Sequence, residues 1–173
     1  MRYPESNWMH KRMLGLSERL AALPSSGRTA ALTDHLYRAQ ANDAYWHGLF
    51  GGLYLPHLRR EVYCNLLKLE AALDAVAPRP PLAVSDQDFD GVRELFLGNA
   101  DVQVVVKLDA HAALCELDAY GLAHNFGDVL TQRAEHYYHK LDAVPEAGSE
   151  QAGIASAHDR VAFKDVIVPA DVA

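Results

Sequence analysis

Three prolines within four residues, Pro78, Pro80 and Pro81, constrain this chain most, because such a run cannot continue a helix and prefers extended backbone. The segment Ala77-Pro78-Arg79-Pro80-Pro81-Leu82 therefore reads as a linker between two different patterns. Before it the apolar residues recur at helical spacing. Pro4 suits a first helical turn, and Trp8, Met9, Met13, Leu16, Leu20 and Leu23 form one stripe that ends at Pro24-Ser25-Ser26-Gly27. A second helix is expected to start near Thr29, to carry Leu32, Leu36, Ala39 and Asp43 on one face, and to run toward His47 before Gly48, Gly51 and Gly52 interrupt it. A third is expected to begin at Pro56 and to carry Leu58, Val62, Leu66, Leu69 and Leu73.

After the prolines the period changes. Residues 92–97, 102–108 and 113–118 are short β-branched or apolar runs separated by Gly, Asn and Asp, the pattern of antiparallel strands. Residues 125–141 are ambiguous, residues 143–153 read as a loop, and the tail VAFKDVIVPADVA holds one more strand-like run. The expected division is a helical domain over 1–77 and a second, strand-built domain over 78–173.

Charge divides at the same place, with a net +2 over residues 1–77 and −9 over 78–173. Neither part has the basic stripe that offsets phosphate charge, so nucleic acid is not an expected partner, and a neutral polymer such as a sugar chain fits better. No apolar run approaches the ~20 residues of a membrane span, and MRYPESNWMHKRM has no signal-peptide core, so the reading is cytoplasmic with no membrane partner. Half of the residues are apolar and 23% charged, which is globular composition. Cys64 and Cys115 stand far apart and outside metal-type spacing, so neither a disulfide framework nor a zinc ribbon is expected.

The densest chemistry lies in residues 39–60, AQANDAYWHGLFGGLYLPHLRR. A pyranose ring stacks its C–H face on an aromatic ring while Asn, Asp, His and Arg bond its hydroxyls, so this mixture suits a glucan subsite. From periodicity alone, Tyr45 and Trp46 instead cap a helix into the core. Asp86, Asp88, Asp90 and Gly91 match the first half of a calcium loop, but its twelfth position is Leu97 where a bidentate Glu is required, so an acidic turn is expected and no metal. Asp43 with His47, and Glu135 with His139, have a spacing that puts two ligands on one helix face, yet a metal site needs a third. His136, Tyr137, Tyr138 and His139 read either as a surface sugar platform or as alternately buried residues of a sheet. No cofactor is expected.

The segment 39–60 resembles the signature that follows the catalytic barrel in 4-α-glucanotransferases and α-amylases of glycoside hydrolase family 57. RYPESNWMHKRM resembles the start of that family's helical middle domain, and DQDFDGVRELFLGN, ELDAYGLAHNFGDVLTQRAEHYYHKL and GIASAHDRVAFK resemble its C-terminal sandwich. The fold class this implies is α+β, a three-helix bundle followed by a partial antiparallel β-sandwich whose later strands are missing. The resemblance implies that Asn42, Asp43, Tyr45, Trp46 and His47 are substrate-binding residues bordering the cleft, with the tryptophan on the binding surface.

Catalysis is not expected of this chain. The family's nucleophile and acid/base belong to a barrel expected to be absent here, and a retaining mechanism needs two carboxyl groups about 5–5.5 Å apart, whereas Asp43 has no such partner in its segment. One reading is thus a non-catalytic fragment of an α-glucan-acting enzyme with weak contacts to α-glucan or maltooligosaccharide. The other is a standalone glucan-binding or protein-interaction module. Lost strands also imply self-association through an open sheet edge, with Val104, Val106, Leu114 and Leu117 the apolar residues left exposed. One departure concerns a turn: Asp109-Ala110-His111-Ala112 stands where the family tends to have paired glycines.

Overall fold

A computed structural model of the chain describes residues 2–47 and 51–135. Three helices, α1 (Pro4–Ala22), α2 (Ala30–Ala39) and α3 (Pro56–Val76), precede five strands, β1 (Leu82–Ser85), β2 (Glu94–Gly98), β3 (Val102–Lys107), β4 (Leu114–Ala119) and β5 (His124–Asn125). All lie in one compact unit, Met1–Gln132, and a second begins at Arg133. The α+β class is as expected from the change of period. The readings of residues 136–141, of the loop at 143–153, of the tail, of the aromatic cluster at 136–139 and of the Glu135–His139 pairing lie outside the described residues.

The helical stripes close one core. Met9, Met13, Leu16 and Leu20 of α1 meet Leu32, Leu36 and Ala39 of α2 and Val62, Leu66, Leu69 and Leu73 of α3, each nearly inaccessible to water. Burying a side chain of this size is worth about 1.5–3 kcal/mol, so the three stripes dominate the stability of this layer. Thr29 caps α2 by accepting from the Leu32 amide at 3.3 Å, as the sequence position promised.

Two expectations need correction. The second helix stops at Ala39, not near His47, and Asn42–Tyr45 form a separate 3₁₀ turn that leaves Asp43 exposed rather than on the apolar face. The reason is local: Gln40 and Ala41 close the helix end with amide bonds to carbonyls of the last turn, and Ala41 then leaves helical backbone. Leu82, read as the last residue of the linker, instead opens edge strand β1, in which the runs that looked isolated find a further partner.

The sheet is an antiparallel meander in the order β1-β2-β3-β4-β5. Its register aligns Leu82, Leu97, Val104 and Leu117 across four strands, and Val84, Leu95, Val106 and Leu114 in a parallel row, on one face. The opposite face carries Ala83, Phe96, Val105 and Glu116 in one row and Gln103, Asp118 and Asn125 in another. The more polar of the two faces is the one buried, since Gln103, Glu116 and Asp118 are each at most 2% exposed. Between Val105 and Val106 the β3–β4 register shifts, leaving Cys115 as the extra residue of β4. Ala112, in the turn before β4, adopts φ 50°, a conformation that suits glycine, and the Asp109 carboxylate braces the turn by accepting from the His111 amide.

Candidate functional site

Residues 42–47 leave the helical layer as a polar turn carrying one large ring. The 3₁₀ turn Asn42–Tyr45 puts Ala44 in the core and leaves the side chains of Asn42 and Asp43 in solvent. Trp46 is extended, and its indole is half exposed at 50%. The periodic reading that sent both aromatics inward therefore holds for one of them: Tyr45 is partly buried against the helical core and donates its hydroxyl to the Ala39 carbonyl, whereas Trp46 faces outward. Burial holds the Tyr45 hydroxyl well above its ordinary pKa, so it stays protonated and remains a donor.

The turn is clamped from behind. The Leu53 amide donates to the Trp46 carbonyl at 2.9 Å, and Gly52, at φ 51°, packs so closely that a Cβ there would stand 2.2 Å from the Trp46 carbonyl oxygen and 3.0 Å from that of Asp43. Ser6 of α1 donates to the Tyr45 carbonyl. His47 places Nδ1 3.0 Å from the Gly51 carbonyl and lies edge-on to the Tyr54 ring at 4.7 Å, while His10 lies edge-on to Tyr45 at 5.8 Å. Trp46 and its polar neighbours thus sit on a backbone fixed by hydrogen bonds and a glycine contact. The Asp43–His47 ligand pair is not formed as a helix-face pair, because the backbone between them is a 3₁₀ turn followed by an extended residue.

A second set of polar groups, between helices and sheet, was not singled out from the sequence. The carboxylate of Glu116 on β4 accepts from Trp8 Nε1 at 2.7 Å and from Arg12 Nε at 3.0 Å, and the other side of the Arg12 guanidinium bonds Glu70 of α3. Glu70 also accepts from Tyr120 at 2.9 Å and pairs with Arg79 at 2.7 Å. Burial pushes the Glu70 carboxyl up, but Arg12 and Arg79 outweigh it and hold it down at about 2. Asp118 is the converse: burial and then the neighbouring Glu116 push it up to about 9. A signal existed, since Arg12 and Glu70 fall inside the apolar stripes of α1 and α3.

A carboxyl pair with one raised pKa is a common mark of acid/base chemistry. Here Glu116 is fully buried and Asp118 1% exposed, with Trp8 and Arg12 bonded to the first and Gln103 to the second, so no substrate reaches the pair and its role is to join the layers. Beside this network runs a groove of about 650 Å³ lined by Arg12, Arg19, Asp74, Arg79, Phe96 and Tyr120 among others. None of the five residues expected to bind substrate lines it.

Comparison with known proteins matches both parts of the chain. Residues 1–73 match the family model described as alpha-amylase/4-alpha-glucanotransferase, middle domain, and residues 86–173 the one described as alpha-amylase/4-alpha-glucanotransferase, C-terminal. An alpha-amylase of Pyrococcus abyssi is 42% identical over 91% of this chain and 22% of its own length. A 4-alpha-glucanotransferase of Thermococcus kodakarensis is 43% identical over 91% of this chain and likewise 22% of its own length. The crystal structure of the 4-alpha-glucanotransferase from Thermococcus litoralis superposes with a TM-score of 0.67 at 40% identity, covering 83% of this chain and 20% of that one. The chain spans about a fifth of the length of these relatives. It belongs to the alpha-amylase/4-alpha-glucanotransferase family and corresponds to that family's middle and C-terminal domains.

Proposed function

We propose that this stretch supplies non-catalytic glucan contacts to an α-glucan-acting enzyme of glycoside hydrolase family 57, with Asn42, Asp43, Tyr45, Trp46 and His47 lining a subsite. One observation carries the reading: a half-exposed tryptophan stands beside two exposed hydrogen-bonding side chains on a turn fixed from behind by Gly52 and Leu53. A turn held this way presents its indole to a sugar ring without the backbone first being ordered, which lowers the entropic cost of binding. The carboxyl groups that cleave the glycosidic bond belong, in this reading, to residues outside this sequence. The helices are then a bundle forming a middle domain over 1–77, and the sheet one layer of a sandwich over 78–173. A cytoplasmic setting, with neither nucleic acid nor membrane as partner, is part of the same proposal.

The test is a titration of the chain with maltooligosaccharides followed by tryptophan fluorescence. Trp8, stacked on Phe96 and bonded to Glu116, gives a background signal shielded from sugar. The expected result is a saturable quench with millimolar affinity, lost in Trp46→Phe, and no change in the length of the sugars. A quench unchanged in Trp46→Phe would falsify the subsite.

A further inference from the structure

We propose that Asp86, Asp88 and Glu94 form a binding site for a divalent hard cation, with calcium preferred over magnesium. Their carboxylate oxygens, one from each residue, lie within 4.8 Å of one another at the connection from β1 to β2. The acidic turn is what the sequence pattern led one to expect. The glutamate that completes it is Glu94, which comes three residues before the position where a calcium loop places its bidentate ligand.

Two buried oxygens point to a missing partner. Asp88 is 8% exposed and Glu94 fully buried, yet Asp88 Oδ1 and Glu94 Oε1 each lack a hydrogen-bond partner. A buried carboxylate oxygen left in this state costs free energy that a cation would recover. Lys107 is the nearby ammonium, and it lies closest to Asp90, with Asp88 Oδ2 at 3.4 Å and Glu94 Oε1 at 3.7 Å. Lys107 can therefore stay on Asp90 while Asp86, Asp88 and Glu94 share a second positive charge. Lys11 lies over the Phe89 ring, 5.2 Å from its centroid.

The spacing favours calcium. Calcium bonds oxygen at about 2.3–2.6 Å, so it can reach carboxylate oxygens separated by as much as 4.8 Å, whereas magnesium at about 2.0–2.1 Å would draw the most widely separated of them inward. The loop is pre-shaped for one ligand set: Asp86 accepts from the amides of Asp90 and Gly91, and Gly91 takes φ 89°, a conformation that strains other residues. The same loop docks onto α1, where Asn7 Nδ2 donates to the Asp88 carbonyl at 2.8 Å and Gln87 Nε2 donates to the Lys11 carbonyl at 2.9 Å. A bound cation would thus tie the β1–β2 connection to the helical layer.

Calorimetric titration of the chelator-treated chain with calcium chloride and with magnesium chloride tests this, alongside melting curves in each salt. Calcium is expected to bind at a single saturable site, roughly tenfold or more tighter than magnesium, and to raise the melting midpoint with concentration. Glu94→Gln and Asp86→Asn should each weaken calcium binding by roughly tenfold or more, and Lys107→Gln should tighten it by removing the competing ammonium. If Glu94→Gln fails to fold, Asp86→Asn, at a partly exposed position, decides the matter. Absence of saturable uptake by the unaltered chain at millimolar calcium overturns the proposal, as does unaltered affinity in Asp86→Asn.

Discussion

The Arg12 guanidinium meets the Glu70 carboxylate with two parallel hydrogen bonds, Nη1 to Oε1 at 2.9 Å and Nη2 to Oε2 at 2.8 Å, where neither side chain is more than 5% exposed. Its Nε turns the other way, to Glu116 of β4, so one side chain of α1 connects α3 to the sheet. Removing it would leave two buried carboxylates without their main partner. Arg12→Met is expected to cost about 3–5 kcal/mol in urea denaturation, because an uncompensated buried charge is worse than no charge at all. A loss below about 1 kcal/mol would mean that water reaches the network.

Asp118 gives this interface a pH dependence of known sign. Its carboxyl keeps a proton in the folded state up to about 9, whereas in the unfolded chain it releases it near the ordinary aspartate value of about 4. Between these values the folded state binds more protons, so stability falls as pH rises, by up to about 1.4 kcal/mol per pH unit from this group. Glu70 acts in the opposite direction and lower down: its contribution is present above its unfolded value and is lost as pH falls toward about 2. Asp118→Asn mimics the protonated form and can still accept from Gln103, so it should flatten the slope between about pH 4 and pH 9 and be more stable than the parent chain near pH 9. Denaturation curves across that range check this, and a slope unchanged by the substitution would assign it elsewhere.

Gly52 is expected to be the least tolerant glycine near Trp46. In Gly52→Ala the methyl group would meet the Trp46 carbonyl oxygen at 2.2 Å, and φ 51° adds about 1–2 kcal/mol for any L side chain. A destabilisation of about 2 kcal/mol or more is expected, together with loss of any sugar-dependent quench, since the turn bearing Trp46 has to move. A chain that melts as before and keeps its quench would show that the clamp does not position the indole.

The outer sheet face sets a prediction about association. Leu82, Val84, Leu97, Leu114 and Leu117 are between 38% and 57% exposed on this one face, with Val104 and Val106 half-buried among them. A contiguous apolar surface of this kind promotes pairing with a second copy. Sedimentation should show concentration-dependent size, and Leu97→Lys together with Leu117→Lys should abolish it while changing stability by less than about 0.5 kcal/mol per site, since neither side chain is buried. A monomer at every concentration counts against self-association through the sheet.

Much of the layout was fixed by local pattern. The stripes of α1 and α3, the helix starts at Pro4 and Pro56, the cap at Thr29, and the break at Pro78–Pro81 are short-range effects that a helix or turn feels without knowing its neighbours. The same is true of the β-branched run in β3, which needs no partner to be visible. Strand β1 was not legible because LAVS is too short to stand out until β2 pairs with it. The end of α2 was misplaced because Asp43 continues the helical period in sequence while the backbone has already turned at Gln40.

The segment 42–47 was legible as a crowd of aromatic and polar residues, but not which ring faces out. Tyr45 and Trp46 are neighbours of like character, and only the packing of Tyr45 against the helical core leaves Trp46 to solvent. Long-range contacts likewise decided the charge network, and strand pairing decided the acidic cluster. Arg12 reaches Glu70 and Glu116 across 58 and 104 residues, and Glu94 joins Asp86 and Asp88 only after β2 folds back beside β1. Sequence by itself determined which faces the helices bury, because the hydrophobic period acts over a few residues. Tertiary structure decided which charges share a buried site, because carboxylates and guanidinium groups brought together from distant positions are tolerated only where each other's presence offsets the loss of water.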